Sequence, residues 1–336
     1  MQTEPTGVIE RSGATPRTTA SRRWSFWLVA WAAMALPSIA GAERLFGTDG
    51  ISLFAFDSED PGTLEYWVTI TGTAQTECPL GLESDPLTGR LYAVSGAVCQ
   101  ILPPPWSLTL HSLNPASGDS VFADVPYLEV QGGYDQDLHP GERAFRMIGS
   151  DGTNLRLPLG APLGIADSPL EIDGHISALA HAPNDPYASG IETFGIAEGP
   201  QFGQCHLVRI GGPSGAPPAS TGEVTSIGPC VVAGDVWAFE VTPSGRALLM
   251  SAYFDGQGFR SHLYEIELQT GATTFLGQIA TPEFGAAVTG IAWAPEGAVI
   301  EIPTLSGVAL TSLGGVLVAA ALARLAVRRR GEAQPR

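Results

Sequence analysis

The fold is decided by residues 81–94, Gly-Leu-Glu-Ser-Asp-Pro-Leu-Thr-Gly-Arg-Leu-Tyr-Ala-Val. Two apolar runs flank a turn in which Pro86 presets φ and Gly89 supplies a positive φ, so the stretch predicts a β-hairpin. The same pattern recurs at 238–249, Ala-Phe-Glu-Val-Thr-Pro-Ser-Gly-Arg-Ala-Leu-Leu. Weaker copies stand at 138–143, 180–183 and 291–297.

A second motif alternates with the first. It is a strand of period two that ends in a polar turn, as in Leu-Tyr-Glu-Ile-Glu-Leu-Gln-Thr-Gly at 263–271. Residues 110–118 repeat it, and 53–57 is a looser copy. Alternation at period two is typical of strands, and no long amphipathic helix is expected between residues 43 and 301.

Two hairpins in alternation make a four-stranded unit. Such units start near Gly81, Gln136, Ile176 and Val236, and a fifth can be assembled from 288–294 and the N-terminal strands of 45–70. Joining both ends in one unit closes a ring and removes exposed sheet edges. We therefore predict an all-β domain over 43–301, a β-propeller of five blades. Six blades are the near alternative, and a β-sandwich is the other architecture considered.

The first 42 residues predict a signal peptide. Four arginines precede an uncharged segment at 24–40, and Ala40-Gly41-Ala42 suits cleavage between Ala42 and Glu43. The expected partners are the Sec export machinery and signal peptidase. Twin-arginine export would also use Arg22-Arg23, but the residues that follow fit that pattern poorly.

The C-terminal residues 302–336 predict a membrane anchor. Residues 305–327 are apolar except for Arg324, and a helix of that length, at about 1.5 Å per residue, spans a bilayer core. Arg328, Arg329 and Arg330 follow, which predicts an inner-membrane precursor with a periplasmic domain.

The pentapeptide before this helix, with the helix and the arginines, resembles an Ile-Pro-Thr-Leu sorting signal (IPTL-CTERM) of Gram-negative bacteria. It consists of Ile302, Pro303, Thr304, Leu305 and Ser306. The resemblance implies an exosortase-like enzyme that cuts the anchor, which leaves the mature form at the cell surface or secreted. A plain single-span anchor is the alternative.

The expected core is strongly acidic. All basic residues are arginine, and between 43 and 302 there are 8 of them against 31 acidic residues, hence a formal charge of −23. Phosphate backbones require a basic face, so nucleic acid is excluded as a partner.

Cysteine usage agrees with export. An even number of cysteines in an exported chain predicts disulfides. Three connectivities are open, and proximity favours two short loops. The pairs would be Cys78–Cys99 and Cys205–Cys230.

Residues 143–157, Arg-Ala-Phe-Arg-Met-Ile-Gly-Ser-Asp-Gly-Thr-Asn-Leu-Arg-Leu, resemble a run typical of the family called domain of unknown function 4394. The resemblance implies a propeller-like fold and brings no established activity. Within this run, Asn154 could cap a turn and Arg156 could pair with a carboxylate of a neighbouring blade. Contact with a ligand is the alternative role for both residues.

Catalytic motifs are absent from the sequence. It contains no metalloprotease, nucleophile-elbow, P-loop or EF-hand pattern, so neither a catalytic residue nor a metal ligand is assigned. His175 and His181 are interpreted as ordinary histidines. No cofactor is expected, although calcium could bind two acidic loops through their oxygens. These loops hold Asp135, Asp137 and Glu142, and Asp57, Glu59 and Asp60.

These observations predict an exported, surface-sorted, non-enzymatic propeller that serves in binding or in the extracellular matrix. The alternative is a hydrolase or lyase active on polysaccharides, because carboxylates from different blades can meet at a propeller mouth. A calcium-dependent adhesion module is a third hypothesis. The tryptophans Trp67, Trp106, Trp237 and Trp293 are expected in packing, with Trp106 the most exposed.

Overall fold

A computed structural model of the chain describes residues 42–73, 78–96, 106–122, 128–130, 134–161, 164–199, 203–283 and 285–295. The described residues form 21 strands in five antiparallel sheets, which are the five blades of a β-propeller. Two short 3-10 helices, Pro213–Gly215 and Ala219–Thr221, connect strands of one blade. The prediction of an all-β propeller with five blades is confirmed.

Four blades are built from consecutive strands, each running outward from an inner strand. Blade 2 contains β4 (Cys78–Ser84), β5 (Leu91–Gly96), β6 (Trp106–Leu113) and β7 (Ser120–Phe122), and β8 (Leu128–Val130) also pairs with β6. Blade 3 contains β9 (Tyr134–His139), β10 (Ala144–Gly149), β11 (Asn154–Pro158) and β12 (Ile165–Ala166). Blade 4 contains β13 (His175–Ala182), β14 (Glu192–Gly199), β15 (Gly203–Ile210) and β16 (Val224–Pro229). Blade 5 contains β17 (Asp235–Val241), β18 (Ala247–Phe254), β19 (Phe259–Ile266) and β20 (Thr273–Gln278).

Blade 1 joins the two ends of the domain. Its inner strand is the last one, β21 (Gly290–Trp293), and it pairs with the first, β1 (Arg44–Thr48). The outer strands are β2 (Ser52–Asp57) and β3 (Asp60–Thr69). Leu45 lies opposite Trp293 in the register, so the predicted closure of the ring by both ends is confirmed.

The hairpin turns follow from their side chains. In blade 2, the Asp85 carboxylate accepts the Leu87 N–H at 2.9 Å and the Thr88 hydroxyl at 2.6 Å. Gly89 closes this turn at a φ of 68°, a conformation that glycine adopts without strain. Arg143 of blade 3 then pairs with Asp85 at 2.9 Å, so the turn also ties two blades together.

Apolar side chains fill the spaces between blades. Side chains alternate across a strand, and each blade has a neighbouring blade on both of its faces. The middle strands of each blade are therefore apolar on both faces. Five clusters of buried residues occupy the five interfaces, from blades 1 and 2 around to blades 5 and 1. The inner strands β21, β4, β9, β13 and β17 contact one another in this ring order.

The disulfide Cys205–Cys230 confirms one of the favoured pairs. It links β15 to the residue after β16, with the two Cα atoms 5.2 Å apart, and lies in the cluster between blades 4 and 5. Cys99 lies outside the described residues, so the Cys78–Cys99 pair stays a prediction.

Both targeting segments lie outside the described residues, apart from Ala42 at the end of the first. These are the signal peptide and the sorting segment 302–336, which includes the predicted helix at 305–327. Among the described residues no helix is long and apolar enough to span a membrane. One packing expectation is wrong: Trp67 lies on the edge strand of blade 1 with its side chain exposed.

Candidate functional site

Polar side chains meet where the inner strands end. Glu83, Asp137, His181 and Glu240 each lie within the last three residues of β4, β9, β13 and β17, and Asn184 follows β13. We call these five residues the central polar cluster. Its members come from four different blades, and each precedes a proline turn in the sequence except Asn184, which is within the turn.

Asp137 is the common acceptor of the cluster. His181 Nδ1 lies 2.5 Å from Asp137 Oδ2, and the Glu83 carboxyl hydrogen-bonds to the same Asp137 side chain. A carboxylate accepts both bonds when the imidazole and the Glu83 carboxyl each carry a proton. The arrangement therefore joins blades 2, 3 and 4 through one carboxylate.

Glu240 connects blade 5 to the same cluster. Its Oε1 accepts Asn184 Nδ2 at 3.3 Å, and the backbone N–H of Trp293 also donates to its carboxylate. Trp293 ends the inner strand of blade 1, so all five inner strands contribute to the cluster or bond to it.

Burial favours the neutral forms of the two glutamates. The pKa of Glu83 and that of Glu240 are raised well above the ordinary value, first by burial and then by the charge of Asp137. Nearby, burial and the positive charge of His181 lower the pKa of His139 to about 3. The rings of His139 and His181 lie 4.8 Å apart. Burial therefore favours the uncharged forms of Glu83, Glu240 and His139.

The cluster is closed to large ligands. The exposed fractions of Glu83, Asp137 and Glu240 are 4%, 6% and 2%. His181 Nε2, Asn184 Oδ1 and Glu240 Oε2 are buried without a hydrogen-bond partner among the described residues. A glycosidase needs two carboxyl groups on either side of a sugar bond. In this arrangement all three carboxyl groups are covered by the surrounding blades.

Two residues predicted as calcium ligands, Asp135 and Asp137, lie on a strand where the sequence predicts a loop. Asp135 and Asp137 are not in a loop: they lie on the inner strand β9 and are buried, and Asp135 accepts the backbone N–H of Leu179. Glu142 is at the following turn, 3.5 Å from Arg156. In the second acidic loop, the Asp57 carboxylate accepts the Glu59 N–H at 2.7 Å. The described part of the chain contains no cluster of His, Cys, Asp and Glu arranged to hold a metal ion.

Asn154 is bound within the protein. It is 1% exposed, its Oδ1 accepts Arg146 Nη1 at 2.5 Å, and its Nδ2 donates to the carbonyls of Ser168 and Ala219. The last contact reaches blade 4, so the side chain holds blades 3 and 4 together. These bonds give Asn154 a structural role, and its contact with a ligand stays a prediction.

Arg156 pairs inside its own blade rather than with a neighbouring one. Its Nε and Nη2 bind the two oxygens of Asp167, at 2.7 and 2.9 Å, in a bidentate ion pair. Arg146 reaches the same carboxylate at 3.1 Å. Asp167 follows β12, so this pairing closes the outer edge of blade 3. A ligand role for Arg156 also stays a prediction.

Three aromatic side chains of blade 5 lie together, of which Phe254 and Phe259 are exposed and Trp237 is half-buried against the cluster between blades 5 and 1. Their ring centroids are 5.8 Å apart for Trp237–Phe259 and 5.6 Å for Phe254–Phe259. We call these three residues the aromatic platform. Beside it, a pocket of about 300 Å³ opens between β19, β20 and a segment that contributes Thr281, Pro282, Gly285 and Ala286.

Comparisons with known proteins give a family match and a solved structure of low similarity. The model of the family described as Domain of unknown function (DUF4394) matches residues 52–292. Among solved structures, the crystal structure of a protein from Lactobacillus plantarum is 14% identical, with a TM-score of 0.36. The alignment covers 74% of this chain and 70% of that one. No curated protein matches.

Proposed function

Since this chain belongs to the DUF4394 family, whose description states no activity, we propose a function from its own geometry: an exported, non-enzymatic β-propeller that binds a ligand outside the cytoplasm. It is made with a signal peptide, exported by the Sec machinery, held at the inner membrane by the C-terminal helix, and released by an exosortase-like enzyme. The mature form is at the cell surface or secreted.

The burial of the central polar cluster carries the non-enzymatic part of this proposal. Carboxyl groups from three blades meet there, as a polysaccharide-active enzyme would require. However, Glu83 and Asp137 bond to each other, and Glu240 bonds to Asn184 and the Trp293 backbone. Groups that are buried and bonded in this way connect the blades, so we assign them a structural role. This counts against the hydrolase or lyase alternative.

Two features support export. The Cys205–Cys230 disulfide is of a kind that persists in oxidising compartments. The charge of −23 over residues 43–302 repels nucleic acid and anionic lipid headgroups, which suits a domain displayed in the medium.

The residue expected to follow the signal peptide is already part of the fold. The Glu43 N–H donates to Ser58 Oγ at 3.0 Å, and its Oε1 accepts the Thr242 hydroxyl at 2.8 Å. Cleavage after Ala42 would therefore leave a new terminus that remains attached to blades 1 and 5.

Mass spectrometry of the protein recovered from an expressing Gram-negative host tests the processing. We expect a first residue of Glu43 and loss of everything after the pentapeptide 302–306. Recovery of peptides that contain Arg328–Arg330 from all of the protein would refute sorting. Incubation with a panel of glycans tests the non-enzymatic role, and release of new reducing ends or unsaturated products would overturn it. We also propose that no cofactor is required, so a chelator should leave the melting temperature unchanged.

A further inference from the structure

We propose that the membrane-anchored form of the domain stands with one defined face of the ring towards the lipid and presents the opposite face to its surroundings. The inference rests on the proposed function, from which it takes the C-terminal anchor at 305–327, and it adds which surface is available to a ligand. We call the end of the ring where the inner strands finish the turn face. The end where they begin is the far face.

The last described residues are fixed on the turn face. Trp293 ends the inner strand of blade 1, and the N–H of the next residue, Ala294, donates to the Arg44 carbonyl at 3.0 Å. Pro295 lies against the proline turn of blade 2, where a Cβ on Gly89 would be 3.5 Å from the Pro295 Cγ. The chain therefore leaves the domain at the turn face, between blades 1 and 2.

The residue at which the mature chain is proposed to begin is held on the same face. The Glu43 carbonyl accepts the Ser58 N–H at 2.8 Å, and the Glu43 carboxylate accepts the Thr242 hydroxyl of the blade 5 turn at 2.8 Å. Both ends of the described domain are thus bonded to neighbouring blades. Because these contacts involve three blades, the exit point keeps a fixed place relative to the ring.

Covalent geometry limits how far the anchor lies from this exit. Nine residues, 296–304, separate Pro295 from the anchor, and nine residues span at most about 32 Å when fully extended. The eight residues of the inner strand β13 make the ring about 26 Å deep, at about 3.3 Å per residue. With the far face on the lipid, the nine residues would have to be stretched almost to their limit, at a cost in conformational entropy. With the turn face towards the lipid, no stretching is needed.

The tether, and not adhesion to lipid, sets this orientation. A net charge of −23 over residues 43–302 disfavours contact with anionic headgroups on any face. The far face then points away from the membrane together with its exposed apolar side chains. Ile51 and the platform residues Phe254 and Phe259 are 54%, 63% and 37% exposed there. A ligand that approaches from the medium therefore meets the far face, whereas the central polar cluster lies at the end turned to the membrane.

Energy transfer in proteoliposomes tests the orientation. The full chain with its anchor, purified from a Gram-negative host that lacks a sorting enzyme, is reconstituted into phosphatidylcholine vesicles with an acceptor dye on the headgroups. A donor dye is attached to Leu87→Cys on the turn face or to Gln257→Cys on the far face, both at exposed positions. We expect about twofold stronger transfer from position 87, because the two labels differ in height by about the length of an inner strand. Wild type measures any labelling of the native cysteines.

A variant with a longer linker is the matched control. Inserting about twenty Gly and Ser residues after Pro295 should remove most of the difference, because the longer flexible tether no longer restricts the tilt of the ring. An unchanged difference in that variant would overturn the tether as the cause.

The remaining outcomes separate the orientation from the anchoring. With the native linker, equal transfer from the two positions, or stronger transfer from position 257, would overturn the orientation and leave the anchor in place. Vesicles that float without the protein would overturn the anchoring in the proposed function, and the orientation with it.

Discussion

His181 and Asp137, on the inner strands of two adjacent blades, are joined by a hydrogen bond of 2.5 Å between Nδ1 and Oδ2. The two residues are separated by 44 positions in the chain and both are buried. Asp137 also accepts from Glu83 of a third blade. The bond therefore belongs to a network that holds the middle of the ring together.

Replacing Asp137 by alanine should destabilise the domain. The change leaves the His181 ring nitrogen and the Glu83 carboxyl without their acceptor, and a buried polar group without a partner costs about 1–3 kcal/mol. We expect urea denaturation to show a fall of about 2 kcal/mol or more in the free energy of unfolding. Glu223→Gln, on an exposed side chain, is the control and should match wild type. An unchanged midpoint for Asp137→Ala would show that the network contributes nothing.

Stability should also fall as pH rises above the ordinary range of glutamate. The pKa values of Glu83 and Glu240 are raised in the fold, mainly by burial, so these groups keep their protons when the unfolded chain has lost them. Between the unfolded and folded pKa values the unfolded state binds fewer protons, and the free energy of unfolding decreases with pH.

The double variant Glu83→Gln/Glu240→Gln isolates this effect. It should show a shallower decline than wild type when unfolding by urea is measured from pH 4 to pH 8. The lowered pKa of His139 acts with the opposite sign at acidic pH, but it is common to both proteins and cancels in the difference. Parallel curves for the two proteins would contradict the assignment of buried, protonated glutamates.

Arg246 should be important for closing the ring. Its guanidinium Nη2 lies 2.9 Å from Glu265 of blade 5 and 2.9 Å from Glu59, and its Nη1 lies 2.9 Å from Ser58 Oγ. Ser58 and Glu59 form the β2–β3 turn of blade 1, so one side chain joins the two blades.

We expect Arg246→Met to lower the free energy of unfolding by about 1–3 kcal/mol, less than for a fully buried pair because both glutamates are partly exposed. Thermal melting of wild type and Arg246→Met measures this loss as a fall in melting temperature. Arg90→Met is the control, since Arg90 is exposed. Equal melting temperatures for the two variants would contradict a role for Arg246 in stabilising the junction of blades 5 and 1.

Loss of the Cys205–Cys230 disulfide should destabilise the domain without changing its fold. The bond closes a loop with a sequence separation of 25, for which the loop-entropy model predicts about 3 kcal/mol. The variant Cys205→Ala/Cys230→Ala should keep its strand signal in circular dichroism but melt at a lower temperature. Peptide mapping without reductant should recover the two cysteines as one linked peptide, and recovery of Cys205 linked to Cys78 or Cys99 would contradict the pairing.

The sequence predicted the local structure of the propeller well. The Pro-Gly turns at 85–89 and 242–245 specify hairpins through contacts a few residues long, so each copy could be recognised by itself. The starts at Gly81, Gln136, Ile176 and Val236 agree with β4, β9, β13 and β17 to within three residues. Closure by 288–294 and 45–70 followed because an open ring would leave two unpaired edges.

The centre of the ring could not be predicted in the same way. The sequence pattern predicts a loop with a possible calcium role for Asp137 and an ordinary role for His181, whereas the structure brings the two together between adjacent blades. Each precedes a proline turn, as Glu83 and Glu240 do, and this shared position was the available signal. The exposed rings of Phe254 and Phe259 give no local signal for a related reason, because exposure depends on which strands pack beside them.

The chain by itself therefore determined the repeated hairpins and favoured five blades over six, because turn geometry and strand alternation act over a few neighbouring residues. Only the tertiary structure decided which polar groups meet and which rings stay exposed. Those outcomes depend on residues separated by tens to hundreds of positions, such as Glu83 and Glu240, that meet only when the ring closes.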